Sequence, residues 1–101
     1  MAIGCFAGQV QQGANAIAIG YSAARLAQGN HSIAIGGTSG YGNQHANTII
    51  LSATGTAVSS TYTNQFIVKP LQNNESITTL KNLNYDTVFG EITYSSIPTY
   101  S

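Results

Sequence analysis

The sequence predicts an all-β fold: a parallel β-solenoid of 16-residue coils over residues 1–52, then a β-rich segment with a short hairpin over residues 53–101. Three observations predict it. A short apolar phrase recurs at a fixed spacing, the phrase alternates as a strand does, and the spacing is too short for helical repeats. Asn15-Ala16-Ile17-Ala18-Ile19-Gly20 is answered by His31-Ser32-Ile33-Ala34-Ile35-Gly36. Ile3, Ile19, Ile35 and Leu51 stand 16 residues apart, and so do Met1, Ile17, Ile33 and Ile49. Helical repeats need about 30 residues for two helices and their turns, and leucine-rich repeats about 20.

Within each unit the Ala-Ile-Ala-Ile run places Ile17 and Ile19 on one face and Ala16 and Ala18 on the other. Ile3, Ile17, Ile19, Ile33, Ile35, Ile49 and Leu51 are expected to stack as ladders filling the interior of the coils. The small face of Ala16, Ala18, Ser32 and Ala34 is expected to be shared with other copies of the chain around a three-fold axis. Gly20 ends its strand where a side chain would hinder the turn, and Gly4 and Gly36 repeat it. A second short strand is predicted at Arg25-Leu26-Ala27, after which Gly29, aligned with Gly13, turns the chain back. Gln12, Gln28 and Gln44 are placed to pair amide to amide. An amphipathic helix is disfavoured, because glycine recurs every few residues and costs about 1 kcal/mol each time in a helix.

Composition narrows the function. Arg25, Lys69, Lys81, Glu75, Asp86 and Glu91 are the charged residues and sum to zero. That leaves no basic field for nucleic acid or an anionic membrane, and no acidic field for a cationic partner. No run reaches the roughly 18 apolar residues of a membrane-spanning helix, and no membrane insertion is expected. A single cysteine, Cys5, rules out an intrachain disulfide. A chain this short buries little surface, so oligomerisation is the expected source of stability. Met1-Ala2-Ile3-Gly4 reads as the tail of the same phrase, so the chain is expected to be a piece cut from a longer protein.

The unit "NAIAIGYSAARLAQGNHSIAIG" closely resembles the head repeat of trimeric autotransporter adhesins, the YadA-like heads, over residues 1–52. The resemblance implies a left-handed parallel β-roll, an intertwined homotrimer, and presentation at a surface. The sequence departs from that pattern over residues 37–45, "GTSGYGNQH", where His45 replaces the turn glycine, and the last coil is expected to be irregular.

After Ser52 the repeat stops. A strand is predicted from Gln65 to Val68, ended by Pro70, with another segment over Ser76 to Leu83. "NYDTVFGEITYS" reads as a hairpin: Leu83 and Tyr85 lead into a turn near Thr87 to Gly90, and Ile92 and Tyr94 return. Residues 96–101 read as a frayed end. The stretch "NTIILSATGTA…FIVKPL…LNYDTVFGEITYS" is similar to a segment of fibre and surface proteins of large DNA viruses, notably algal viruses, and of tailed phages. There it follows YadA-like repeats and often precedes a self-cleaving intramolecular chaperone, which here would lie beyond Ser101. The resemblance covers residues 47–95 and implies a virion-surface location; a bacterial cell surface is the alternative.

No catalytic or metal site is expected, and no cofactor. Cys5 aligns with Tyr21 and Gly37 in a variable turn position rather than beside a base. His31 occupies the position of Asn15 and Asn47 and reads as a turn hydrogen-bonder; His45 stands alone, and a metal role would need ligands from three chains. Asp86 and Glu91 belong to the hairpin rather than to a glycosidase carboxylate pair. The tyrosines are the informative class, since an exposed phenol can stack on a sugar face and hydrogen-bond its hydroxyls. Tyr85 and Tyr94 are expected to pack across the hairpin, leaving Tyr21 and Tyr41 as candidate glycan contacts. The expectation is a structural trimeric spike or fibre segment of a virion surface protein, contributing to host attachment through cell-surface polysaccharide. The alternatives are a bacterial adhesin head and, disfavoured by the absence of clustered carboxylates, a polysaccharide-degrading tail spike.

Overall fold

The computed structural model describes residues 1–75 and 78–95; the predicted frayed end at 96–101 and the first two residues of the segment predicted over Ser76 to Leu83 lie outside the described residues. The fold is all-β. Five strands, β1 (Ala2–Ile3), β2 (Ile17–Ile19), β3 (Ile33–Ile35), β4 (Ile49–Ser52) and β5 (Phe66–Lys69), form one parallel sheet in chain order. Two more, β6 (Asn82–Tyr85) and β7 (Ile92–Ser95), pair with each other antiparallel. The chain divides into two compact units, Met1–Leu71 and Gln72–Ser101.

In the first unit the chain winds as a β-solenoid of about four turns. The register is Ile3 to Ile19, Ile19 to Ile35 and Ile35 to Leu51, so each coil takes 16 residues. Parallel pairing continues beyond residue 52, where the sequence placed the end of the repeat: Leu51 pairs with Val68 and Ile49 with Phe66. That last coil takes 17 residues, and its added residue hides the period from a sequence alignment. The irregularity expected over residues 37–45 does not occur there. Thr38 N–H donates to Tyr21 O, and Gln44 N–H to Ala27 O, at 2.8 and 2.9 Å. His45 is accommodated because the Ser60 hydroxyl accepts its backbone N–H at 2.7 Å.

The two faces of the strands are the reverse of the expectation. Ala18, Ala34 and Ser32 are completely buried inside a single chain, Ala16 nearly so, and Ala18 and Ala34 form the apolar core with Ala23 and Ala24. Ile3, Ile35, Ile49 and Leu51 are 53, 39, 39 and 36 % exposed, and Ile17, Ile19 and Ile33 are half-buried on the same outer wall. The interior ladder therefore runs Ala2, Ala18, Ala34, Ile50, Ile67. The physical reason is the thinness of the coil. In the coils of Ala18 and Ala34 the opposing walls approach closely enough that these methyls meet those of Ala23 and Ala24, and isoleucine would overfill the gap there, whereas Ile50 fills the same ladder position one coil later with no exposure.

The opposing wall is held coil to coil without being a strand. At 25–27, where a strand was expected, the backbone is irregular, because Ser22 and Ala24 adopt left-handed φ values of 55 and 48°. The stacking bonds survive: Val10 N–H donates to Arg25 O and Leu26 N–H to Tyr41 O. Isolated parallel bridges join Gln12 to Gln28 and Gln28 to Gln44. These glutamines do more than pair. Gln28 donates its amide to Gln44 Oε1 at 3.1 Å, and also reaches across the interior to the Ile17 carbonyl at 2.8 Å. Gln44 reaches Ile33 O, and Gln12 reaches Met1 O, in the same way. Each glutamine thus laces one wall of its coil to the other.

The five turn glycines divide by cause. Gly4, Gly20 and Gly36 combine positive φ with close stacking; at Gly20, φ is 125° and a Cβ would sit 2.8 Å from the Gly36 carbonyl. Gly13 and Gly29 have ordinary φ, and there only the nearness of the next coil's backbone forbids a side chain.

In the second unit, Leu83 pairs with Tyr94 and Tyr85 with Ile92. Side chains two apart share a face, so these four lie on one side and Asn82, Asn84, Thr93 and Ser95 on the other. Asp86 closes the connection, its Oδ1 accepting Val88 and Phe89 N–H at 2.8 and 3.1 Å.

Candidate functional site

Two surfaces of the solenoid unit carry side chains that its folding leaves outward. The first is the isoleucine wall. Its ladders run Ile3, Ile19, Ile35, Leu51, Val68 and Ile17, Ile33, Ile49, Phe66. Ile35, Leu51 and Val68 line a shallow, open apolar depression with Ala53 and Pro70. This wall was read from sequence as interior; the structure makes it a continuous apolar surface of the single chain.

The second surface lies on the opposite wall, where positions 9, 25 and 41 stack in consecutive coils as Gln9, Arg25 and Tyr41. Arg25 donates Nε–H to Gln9 Oε1 at 2.8 Å. Its guanidinium lies 4.5 Å from the centre of the Phe6 ring and 5.9 Å from that of Tyr41, a geometry in which the ring quadrupole attracts the cation. Phe6 meets Tyr21 edge to face with centroids 5.9 Å apart. Tyr21 is well exposed and Tyr41 half-buried. The two tyrosines singled out from the sequence are thus brought to one cluster, each through a different neighbour. Phe6, Gln9 and Arg25 were missed. The available signal was the shared repeat position of residues 9, 25 and 41, whose side chains must stack if the period is real.

The remaining candidates disperse. Cys5 is exposed. His31 has φ 57°, matching Asn15 and Asn47 at 57 and 58°, and its Nε2 lies 3.4 Å from the Asn15 amide nitrogen. His45 Nδ1 contacts the Ser60 hydroxyl at 2.7 Å, but that oxygen is already held by the His45 backbone N–H and lies on a buried residue. Tyr85 and Tyr94 are both exposed and pair with Ile92 and Leu83 rather than with each other. Among the described residues no three His, Cys, Asp or Glu side chains gather as a metal site would require, and no helix is long and apolar enough to cross a membrane. Comparison with known proteins adds no relative: no family model, no curated protein and no solved structure matches the chain.

Proposed function

We propose that this chain is a structural and adhesive module: a homotrimeric segment of a spike or fibre on a virion surface, contributing to host attachment through cell-surface polysaccharide. The observation that carries the reading is the isoleucine wall. Ile3, Ile35, Ile49 and Leu51 are outward and more than a third exposed, in ladders that span every coil. Exposed apolar patches that are contiguous in this way mark interaction surfaces. A second and third copy of the same chain fit this wall, because the side chains repeat with the coil and so present the same profile at every level. Isoleucine, leucine and valine at the axis exclude water along its whole length, at about 25 cal/mol for each Å² removed. Three-fold stoichiometry and the virion location rest on the resemblances of residues 1–52 and 47–95. The face used for assembly is the isoleucine face, not the alanine face expected from sequence, since the alanines are consumed inside each coil.

The test is sedimentation equilibrium of the wild type beside Ile35→Glu/Leu51→Glu. The wild type is expected at three chain masses at micromolar concentration, with a Tm that rises with protein concentration. The variant is expected at one chain mass with its far-UV spectrum retained, since both substituted positions point outward. A wild type that sediments as a single chain overturns the assembly.

A further inference from the structure

We propose that the cluster of Phe6, Tyr21, Arg25 and Tyr41 is a binding site for an acidic saccharide, with Arg25 receiving a uronate carboxylate and Tyr21 the apolar face of the sugar ring. This rests on the attachment reading above and gives its ligand a chemical class.

Charge is the first argument. The solenoid unit, Met1–Leu71, contains no Asp or Glu, and Arg25 and Lys69 are its only Lys or Arg. Arg25 therefore has no counter-charge within its unit, and only its Nε is engaged, by Gln9. The two terminal nitrogens of the guanidinium are left to meet a planar anion, and a carboxylate matches that fork with two parallel hydrogen bonds. Position is the second argument. The guanidinium is not free to wander: the Phe6 ring beneath it at 4.5 Å and Gln9 at 2.8 Å hold it in place, so little side-chain entropy is lost on binding.

Phe6 itself is the third. It is a bulky aromatic held at φ 64°, in the left-handed region, where the equivalent residues of the next two coils are Ser22 and Thr38. The turn sets that backbone in each coil, with φ 55° at Ser22 and 59° at Thr38, and Phe6 is the bulky side chain among the three. Here it delivers the ring under Arg25 and against the edge of Tyr21. Tyr21 remains 58 % exposed, and its free ring surface can take the C–H face of a pyranose while its hydroxyl bonds a sugar hydroxyl. A nucleic acid suits the site poorly, because backbone recognition draws on several cations and this wall offers one.

Arg25 follows the wall opposite the isoleucine ladders, since Ala18 of one wall meets Ala23 and Ala24 of the other inside the coil, and Tyr21 stands on the turn after Gly20 that joins the two walls. Assembly through the isoleucines leaves the site outward, and three copies on one particle raise avidity for a polymer with repeating carboxylates.

The experiment measures binding of the whole chain to immobilised polygalacturonate and to neutral dextran, with soluble galacturonate oligomers and single-stranded DNA as competitors. Wild type is expected to bind polygalacturonate and not dextran, to weaken as salt rises, and to be displaced by the oligomers. Arg25→Gln is expected to weaken binding about tenfold or more, the scale of a lost charge-assisted hydrogen bond, with Arg25→Lys in between. Tyr21→Ala, at an exposed side chain whose loss the fold tolerates, is expected to weaken binding several-fold with unchanged sedimentation and melting. The proposal is overturned by equal binding to both polymers, by wild-type affinity in both Arg25→Gln and Tyr21→Ala, or by displacement with DNA but not with oligomers. Binding to dextran alone would sink the acidic ligand while leaving polysaccharide attachment standing. Loss of all polysaccharide binding with three-chain sedimentation intact would leave only the structural part of the function.

Discussion

The solenoid unit and the antiparallel pair solve the same problem by different means. In the solenoid, residues as small as alanine and serine are completely buried, and successive coils are bonded backbone to backbone along both walls. In the β6–β7 pair the large side chains Leu83, Tyr85, Ile92 and Tyr94 are 53–78 % exposed and no described residue of either strand is fully buried. An isolated two-stranded pair is marginal in water. The difference teaches that in this chain order comes from how closely backbones approach, not from how much apolar bulk the sequence carries. Most of the bulky apolar residues of both units are turned outward, Ile50 being buried inside the solenoid.

The largest expected effect is at the alanine interior. Ala18→Arg forces a cation into a position with no exposure, where an uncompensated charge costs several kcal/mol, so the strand signal in the far-UV spectrum is expected to vanish. Thr93→Arg, on the exposed pair, is expected to shift the melting of the solenoid by no more than about 0.5 kcal/mol. Equal tolerance of the two would return Ala18 to a surface and dissolve the comparison.

Next come the glycines. Gly20→Ala meets both a φ of 125° and the Gly36 carbonyl at 2.8 Å, and is expected to cost about 2–5 kcal/mol from strain and overpacking together. Gly90→Ala in the other unit has a φ of 71°, and its Cβ would meet the Tyr85 hydroxyl at an ordinary 3.7 Å. It is expected to cost only the conformational part, about 1–2 kcal/mol. Chemical denaturation followed by circular dichroism ranks the pair, and the reverse order would show that coil stacking is looser than described.

Gln28→Leu tests the lacing between walls. It leaves the Ile17 carbonyl and Gln44 Oε1 without the amide they share, for an expected loss of about 1–3 kcal/mol. Part of that is recovered, because Gln28 Oε1 is itself buried with no partner in the wild type. The smallest energetic effect, and the finest discrimination, comes from hydrogen exchange. Amides bonded between coils, such as those of Gly20, Ile33 and Gly36, are expected to exchange at least about 100-fold more slowly than those of Asn84 and Thr93. Comparable protection in both units would mean that the exposed face of Leu83, Tyr85, Ile92 and Tyr94 is covered in solution, and Leu83→Ser should then remove it.

The 16-residue period was legible in the sequence because equivalent residues of successive coils stack and so recur at one spacing over β1 to β4, and the parallel register of those strands follows from it residue by residue. Alternation also showed that isoleucines and alanines lie on opposite faces of each strand. It could not show which face turns in. Period two is satisfied equally by either orientation, and the usual preference of large apolar groups for the interior pointed the wrong way. The closeness of the two walls decided it: Ala23 and Ala24 stand against Ala18 and Ala34, so alanine fills the space in those coils, and Ile50 fills it one coil later. The strand predicted at Gln65 to Val68 is present, but that it continues the solenoid was missed for a related reason, since one inserted residue between Ile49 and Phe66 breaks the period while hydrogen bonding between coils absorbs it. Tyr21 and Tyr41 could be chosen by residue type alone. That Phe6 and Arg25 join them required three coils stacked in space, because a 4.5 Å contact between residues 6 and 25 is a property of the winding and not of the chain.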